Sequence, residues 1–206
     1  MGNATINDAK DLAIILKAGA LPAPVKIIEE RSVGPTLGSD SIRKGIRSLI
    51  YGVIIVFIFM AIYYGFSGLI ADFAMVINLI ILLAILSLFK ATLTLPGIAG
   101  LILLVGTAID ANVLIFERIR EELASGKTIK TAISLGYSKA FTTIFDANAT
   151  SLVTAIILYW FGTGTIKGFA IILGLGLVIS FFSAIYVTKI IFDILTSNPN
   201  FKKLSI

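Results

Sequence analysis

The chain has 206 residues, 57% of them hydrophobic and only 14% charged, with a mean hydropathy of +1.00. An ordinary soluble domain carries roughly 25% charged residues, so this composition excludes a water-soluble globule. The 17 Lys and Arg outnumber the 12 Asp and Glu by a net +5, and with no basic tract interleaved with aromatics this excess speaks to loop orientation in a membrane rather than to nucleic acid. Neither Cys nor His is present, which rules out disulfides, zinc sites built on those ligands, thiol nucleophiles and His-based triads. No metal or cofactor is therefore expected, and any proton chemistry falls to Asp, Glu, Lys, Arg or Tyr.

The start, Met1 to Asp8, has neither a basic region nor an apolar core and does not read as a signal peptide. Residues 7–19 place Leu12, Ala13 and Leu16, with Ala20 just beyond, at helical spacing and predict a short amphipathic helix capped by Asn7 or Asp8. After Leu21-Pro22-Ala23-Pro24, the β-rich stretch 25–33 predicts a strand too short to form a sheet alone. Residues 34–38 read as a turn, and Ser39-Asp40 as the cap of a basic helix through Arg43, Lys44 and Arg47. Residues 1–46 are thus expected to be a short α+β remnant of a larger domain outside the membrane, ending in a basic helix.

Long apolar runs follow, each able at 1.5 Å per residue to cross a hydrocarbon core of about 30 Å. Five spans are predicted within residues 47–192: Leu49–Phe66, Leu69–Phe89, Pro96–Phe116, Ile144–Phe161 and Phe169–Phe192. Short connections make the first and second, second and third, and fourth and fifth spans antiparallel neighbours. The connection 117–143 is longer. Its Ile129, Ala132, Ile133, Gly136, Tyr137, Ala140 and Phe141 recur at helical spacing and predict an amphipathic helix along the membrane surface. Eight basic residues (Arg118, Arg120, Lys127, Lys130, Lys139, Lys189, Lys202, Lys203) flank one side and five (Arg43, Lys44, Arg47, Lys90, Lys167) the other. That bias puts the long connection and the tail 193–206 in the cytoplasm and the N-terminal segment outside, although the basic cluster before the first span argues the opposite way.

A carboxylate inside a span is costly enough to be a functional candidate by default. Asp72 lies four residues after Gly68 and reads as an interfacial cap or anchor. Asp110 stands eight residues before Arg118, and Asp146 seven after Lys139, so each lies roughly 10 to 12 Å above the charged boundary, near the midplane. Both open the same tripeptide, Asp110-Ala111-Asn112 and Asp146-Ala147-Asn148. Residues two apart on a helix diverge by about 200°, so each Asp points away from its Asn. Asn78, Asn112 and Asn148 are expected to supply interhelical hydrogen bonds. For Asp110, desolvation favours the neutral acid, which can gain or lose a proton when water reaches it, as a proton relay requires. Gly97, Gly100 and Gly106 line the same helix and predict close helix packing. Glu117 to Glu122 reads as a solvated charged extension with Arg118 and Glu122 paired, and 162–168 as a tight turn.

Several longer motifs are similar to a known family. These are Leu21-Pro22-Ala23-Pro24, Arg31-Ser32-Val33-Gly34-Pro35-Thr36-Leu37-Gly38, the run from Gly106 through Asp110 to Glu121, Asp146 to Thr150, and Phe161 to Ala170. They resemble the SecD/SecF family of bacterial protein-export membrane subunits, within the resistance-nodulation-division superfamily, and its SecD branch more than its SecF branch. The resemblance covers nearly the whole chain. It implies an all-α integral membrane half-bundle whose five spans are the second to sixth of a longer subunit. It further implies a SecF partner, a neighbouring SecYEG channel, a translocating unfolded polypeptide and a proton-driven, non-enzymatic role in the inner membrane, with Asp110 as proton relay and Asn112, Asp146 and Asn148 in support. Three other readings stay open: a structural scaffold for the channel, another proton-coupled transporter half, and an intramembrane aspartyl protease. The last lacks the Gly-x-Gly-Asp that such proteases share.

Overall fold

The computed structural model describes residues 35–90 and 93–197, together with residues 10, 13, 14, 16, 204 and 206. The chain divides into two units, residues 1–38 and 39–206. In the first, residues 10, 13, 14 and 16 are helical, within the predicted amphipathic helix; the predicted strand 25–33 lies outside the described residues.

The described residues of 39–206 form helices joined by short turns, with no strand among the described residues. The elements are α1 (Pro35–Leu88), α2 (Leu95–Ala124), α3 (Ile129–Phe161) and α4 (Thr165–Phe182), which runs through a π-helical turn (Ser183–Val187) into α5 (Thr188–Thr196). Four helices are long and apolar enough to cross a membrane, the last being the continuous rod Thr165–Thr196. Five separate helices were predicted. The difference lies in α1, which carries the first two predicted spans in 54 residues and is broken at Gly65, where φ is 55° and ψ −126°. A positive φ with that ψ is open to glycine alone at little cost, so the chain changes direction there without leaving helical hydrogen bonding for long.

The arm before Gly65 runs parallel to α2. Gly45 lies against Ile98, and the Tyr64 hydroxyl donates to Glu117 at 3.0 Å; Gly45 and Tyr64 are 19 residues apart, as are Ile98 and Glu117. The arm after Gly65 runs back: Ala71 and Met75 pack in a cluster with Ile115, Phe116 and Ile119, whereas Leu82 and Leu86 pack in a second cluster with Leu101 and Leu104. Apolar burial gives little net drive between helices already in lipid, so close fit has to hold them. Gly176 on α4 provides it by receiving the side chain of fully buried Leu104 where a Cβ would otherwise stand.

A second difference concerns the segment 117–143. Glu117–Ala124 completes α2, the turn 125–128 follows, and residues 129–143 are the opening turns of α3 rather than a separate surface helix. Thr128 caps α3 by accepting from the Thr131 amide, and no proline interrupts the run to Phe161. The predicted apolar stripe is real, but its Ala132, Ile133, Tyr137 and Ala140 are buried against α2 and α5 with Phe116, Ile119 and Phe192 instead of facing lipid. Leu204 and Ile206 pack against the same cluster.

Candidate functional site

Thr94 and Pro96 start α2, the Thr94 hydroxyl accepting from the Gly97 amide at 3.2 Å. The helix then presents two faces. Ile98, Leu104, Val105, Ala108, Ala111, Asn112, Ile115 and Ile119 are buried, while Asp110 and Leu114 are exposed. The Asp110-Ala111-Asn112 tripeptide therefore splits as helical geometry requires, with Asn112 buried and Asp110 on the open side.

Asp110 borders a cavity of about 100 Å³ between α2 and α3. Thr107 and Leu114 join it from α2, Asn148 and Ser151 from α3, and Leu177 closes it from α4. Asp110 is the single ionisable residue in this lining. Each polar neighbour donates within its own helix: Asn148 to the Ile144 carbonyl at 2.8 Å, Ser151 to that of Ala147 at 3.0 Å and Thr107 to that of Leu104 at 3.1 Å. Their oxygens remain able to accept from a protonated acid or from water. The cleft thus joins Asp110 with Asn148 but not with Asp146, which is exposed elsewhere on α3 and absent from this lining.

Other expectations are corrected. Asn112 and Asn148 do not bridge helices; each donates back to the carbonyl four residues earlier, Asn112 to Ala108 at 3.1 Å. Gly97 and Gly100 do pack closely, with Ile172 and Phe169 of α4 filling the space of their missing Cβ atoms, but nothing lies within 4 Å of that position at Gly106. Asp72 is no interfacial cap: it lies two turns into the second arm of α1, is buried, and its Oδ1 has no hydrogen-bond partner.

The end of α2 was also misjudged. Arg118 pairs with Glu121 at 2.6 Å, not with Glu122. Glu122 is buried and accepts from Lys139 of α3 at 2.5 Å and from Lys127 of the turn. The hydrogen bonds from the two ammonium groups, Lys127's first, hold this carboxyl, which lies beyond the apolar stretch of α2, below its ordinary value of 4.5. Beside it Arg120 lies over the rings of Tyr63 and Tyr64, 5.2 and 5.5 Å from their centres, and bonds Glu117 at 2.8 Å. The spacing 115, 119, 122 carries the buried stripe of α2 straight into Glu122, a signal that its charge obscured.

Long apolar helices joined in one bundle, with a carboxylate in a cleft between two of them, define a polytopic helical membrane protein. The family described as "Protein export membrane protein SecD/SecF, C-terminal" matches residues 17–198, and the chain belongs to that family. It is 56% identical over all of its length to the protein translocase subunit SecD of Magnetococcus marinus and 61% identical over 91% of its length to that of Rhodothermus marinus. It spans 39% and 30% of those relatives, respectively. Among solved structures it is similar to SecDF from Thermus, a translocon-associated membrane protein, with 43% identity and a TM-score of 0.81 over 95% of this chain and 27% of that one. Its long apolar helices and this kinship make it a bacterial inner-membrane protein.

Proposed function

We propose that the chain is the membrane half of a Sec protein-export subunit that couples the proton gradient to late polypeptide translocation, with Asp110 as the group that takes and releases the proton. The observation that carries this reading is the cleft itself: an exposed carboxylate at mid-helix, faced across a small cavity by Asn148 and Ser151 of α3, with Thr107 beside it on α2. A carboxylate at that depth is not sustained against lipid, so its open side is where water or a neighbouring polar helix belongs. The similarity to protein translocase subunits SecD supports the same function.

In this reading the two arms of α1 cross the membrane separately, which gives five crossings and a resistance-nodulation-division-like half-bundle within residues 47–192. The Gly65 turn, the α2–α3 connection and the tail 193–206 lie in the cytoplasm, and residues 1–46 lie on the periplasmic side. SecF supplies the second half-bundle, SecYEG is the channel served, and an unfolded polypeptide is the cargo. Asn148 lines the proton site, Asn112 fixes the inner face of α2, and Asp146 supports from α3.

The test is Asp110→Asn in the full-length subunit with its partner, read as gradient-dependent export alongside recovery of the complex. Loss of gradient dependence with the complex intact is the expected result. Full gradient-dependent export in the variant overturns the reading, and loss of the complex points to a scaffold instead.

A further inference from the structure

At the end of the bundle opposite Glu122, where α1 ends and α4 begins, an apolar groove of about 650 Å³ lies between α3 and α4. Leu86, Trp160, Ile171 and Val178 are among its walls. It adjoins a second cavity of about 440 Å³ through the shared Leu86 and Ile171, and that one has a polar rim of Ser87, Lys90 and Thr94. In the other direction it continues, through the shared Leu152 and Val178, into a smaller, mostly apolar pocket of about 210 Å³ bordered by Phe145, Asn148 and Phe181. The whole is elongated along the helices, polar at one end and apolar along the rest.

The polar end carries charge of one sign. Lys90 lines the second cavity, and Lys167 stands 5.8 Å from the centre of the Tyr159 ring, which borders the groove. Among the described residues neither lysine forms an ion pair. Tyr159 and Trp160 are both exposed at the mouth, where aromatic residues mark the boundary between hydrocarbon and head groups. The small residues of the groove serve the helices that form it: a Cβ at Gly174 would meet Ala155 and Leu152 at 3.7 and 3.8 Å. They do not make a seat for another helix, whose backbone would need them facing outward.

We infer that this groove is a binding site for an anionic phospholipid, with its phosphate between Lys90 and Lys167 and one acyl chain running down α3 and α4 toward Phe145. Basic positions between transmembrane helices take anionic head groups, and an apolar groove that runs along two neighbouring helices suits a hydrocarbon chain.

The chain contains one tryptophan, Trp160, so its fluorescence in vesicles reads the groove directly. The probes are brominated phosphatidylglycerol and brominated phosphatidylcholine, each at the same mole fraction in otherwise identical vesicles. The anionic lipid is expected to quench Trp160 at least about two-fold more strongly than the zwitterionic one, and the combined Lys90→Gln and Lys167→Gln variant to erase that preference. Gly174→Leu, which fills the groove and keeps both lysines, is expected to reduce quenching by the anionic lipid with an unchanged helical circular dichroism spectrum. Equal quenching by the two lipids, a preference that survives loss of both lysines, or no quenching by either, as when a protein segment fills the groove, overturns the assignment.

Discussion

Helices α2 and α3 meet in two places, and the two contacts are built in opposite ways. Beyond the apolar stretch, Glu122 is buried between Lys127 and Lys139, and Gly136 lets the Ile119 side chain and backbone come within contact of α3. At mid-helix the same pair leaves a cavity beside Asp110, and open space lies where a Cβ would stand at Gly106, one turn away. A pair of helices pinned at one end and open at the middle keeps its register while admitting water or a partner to the open part. Stability and function are thereby assigned to different residues of α2, and the two sets can be perturbed separately.

The largest effect is expected where the pinning is tightest. Gly136→Leu drives a side chain into Ile119, including its backbone, and overpacking of this kind costs about 1–3 kcal/mol. A fall in the midpoint of thermal unfolding in detergent checks it; an unchanged midpoint would mean that α3 can shift away from α2 freely. The next effect comes from Glu122→Gln, which removes the charge holding Lys127 and Lys139 and is expected to lower Tm at neutral pH. Because the folded-state value of Glu122 lies below its ordinary 4.5, its contribution is present above that pH. The gap in Tm between wild type and Glu122→Gln is therefore expected to close as pH falls below about 4.5 and through the folded value. A gap that widens on acidification would show the opposite linkage.

Smaller again is Tyr64→Phe. It removes the hydrogen bond to Glu117 while keeping the ring against Phe116, and a net loss of about 1 kcal/mol is expected in an unfolding titration. Smallest of all is Asp110→Asn, which alters an exposed side chain with no packing role in this chain and is expected to move stability by no more than about 0.5 kcal/mol. If it were as destabilising as Gly136→Leu, the division between a pinned end and an open middle would fail.

Much of the bundle was legible in the sequence because hydropathy and helical spacing are local. The limits of the apolar runs and the opposite faces of Asp110 and Asn112 follow from composition and from about 100° of rotation per residue. What was missed depends on neighbours. The stripe Ile129 to Ala140 has the same periodicity whether it meets lipid or the end of α2, so spacing could not tell a surface helix from the start of α3. Glu122 looked solvated because its partners are 5 and 17 residues away. Gly106 looked like Gly97 and Gly100, yet only the latter two face α4. At Gly65 the sequence showed a boundary between two apolar runs but not that helical hydrogen bonding resumes on both sides of one glycine. In the site, the two Asp-Ala-Asn tripeptides placed both carboxylates at a similar depth, whereas the rotation of α3 brings Asn148 rather than Asp146 to the cavity beside Asp110.

The most direct measurement uses the absence of cysteine from the chain. Single substitutions Asp110→Cys and Asn112→Cys, two residues apart on α2, are treated in membranes with a charged, water-soluble thiol reagent. A cleft open to water beside Asp110 predicts rapid modification at 110 and none at 112, whose side chain is buried. Equal modification at both positions, or none at 110, would contradict it.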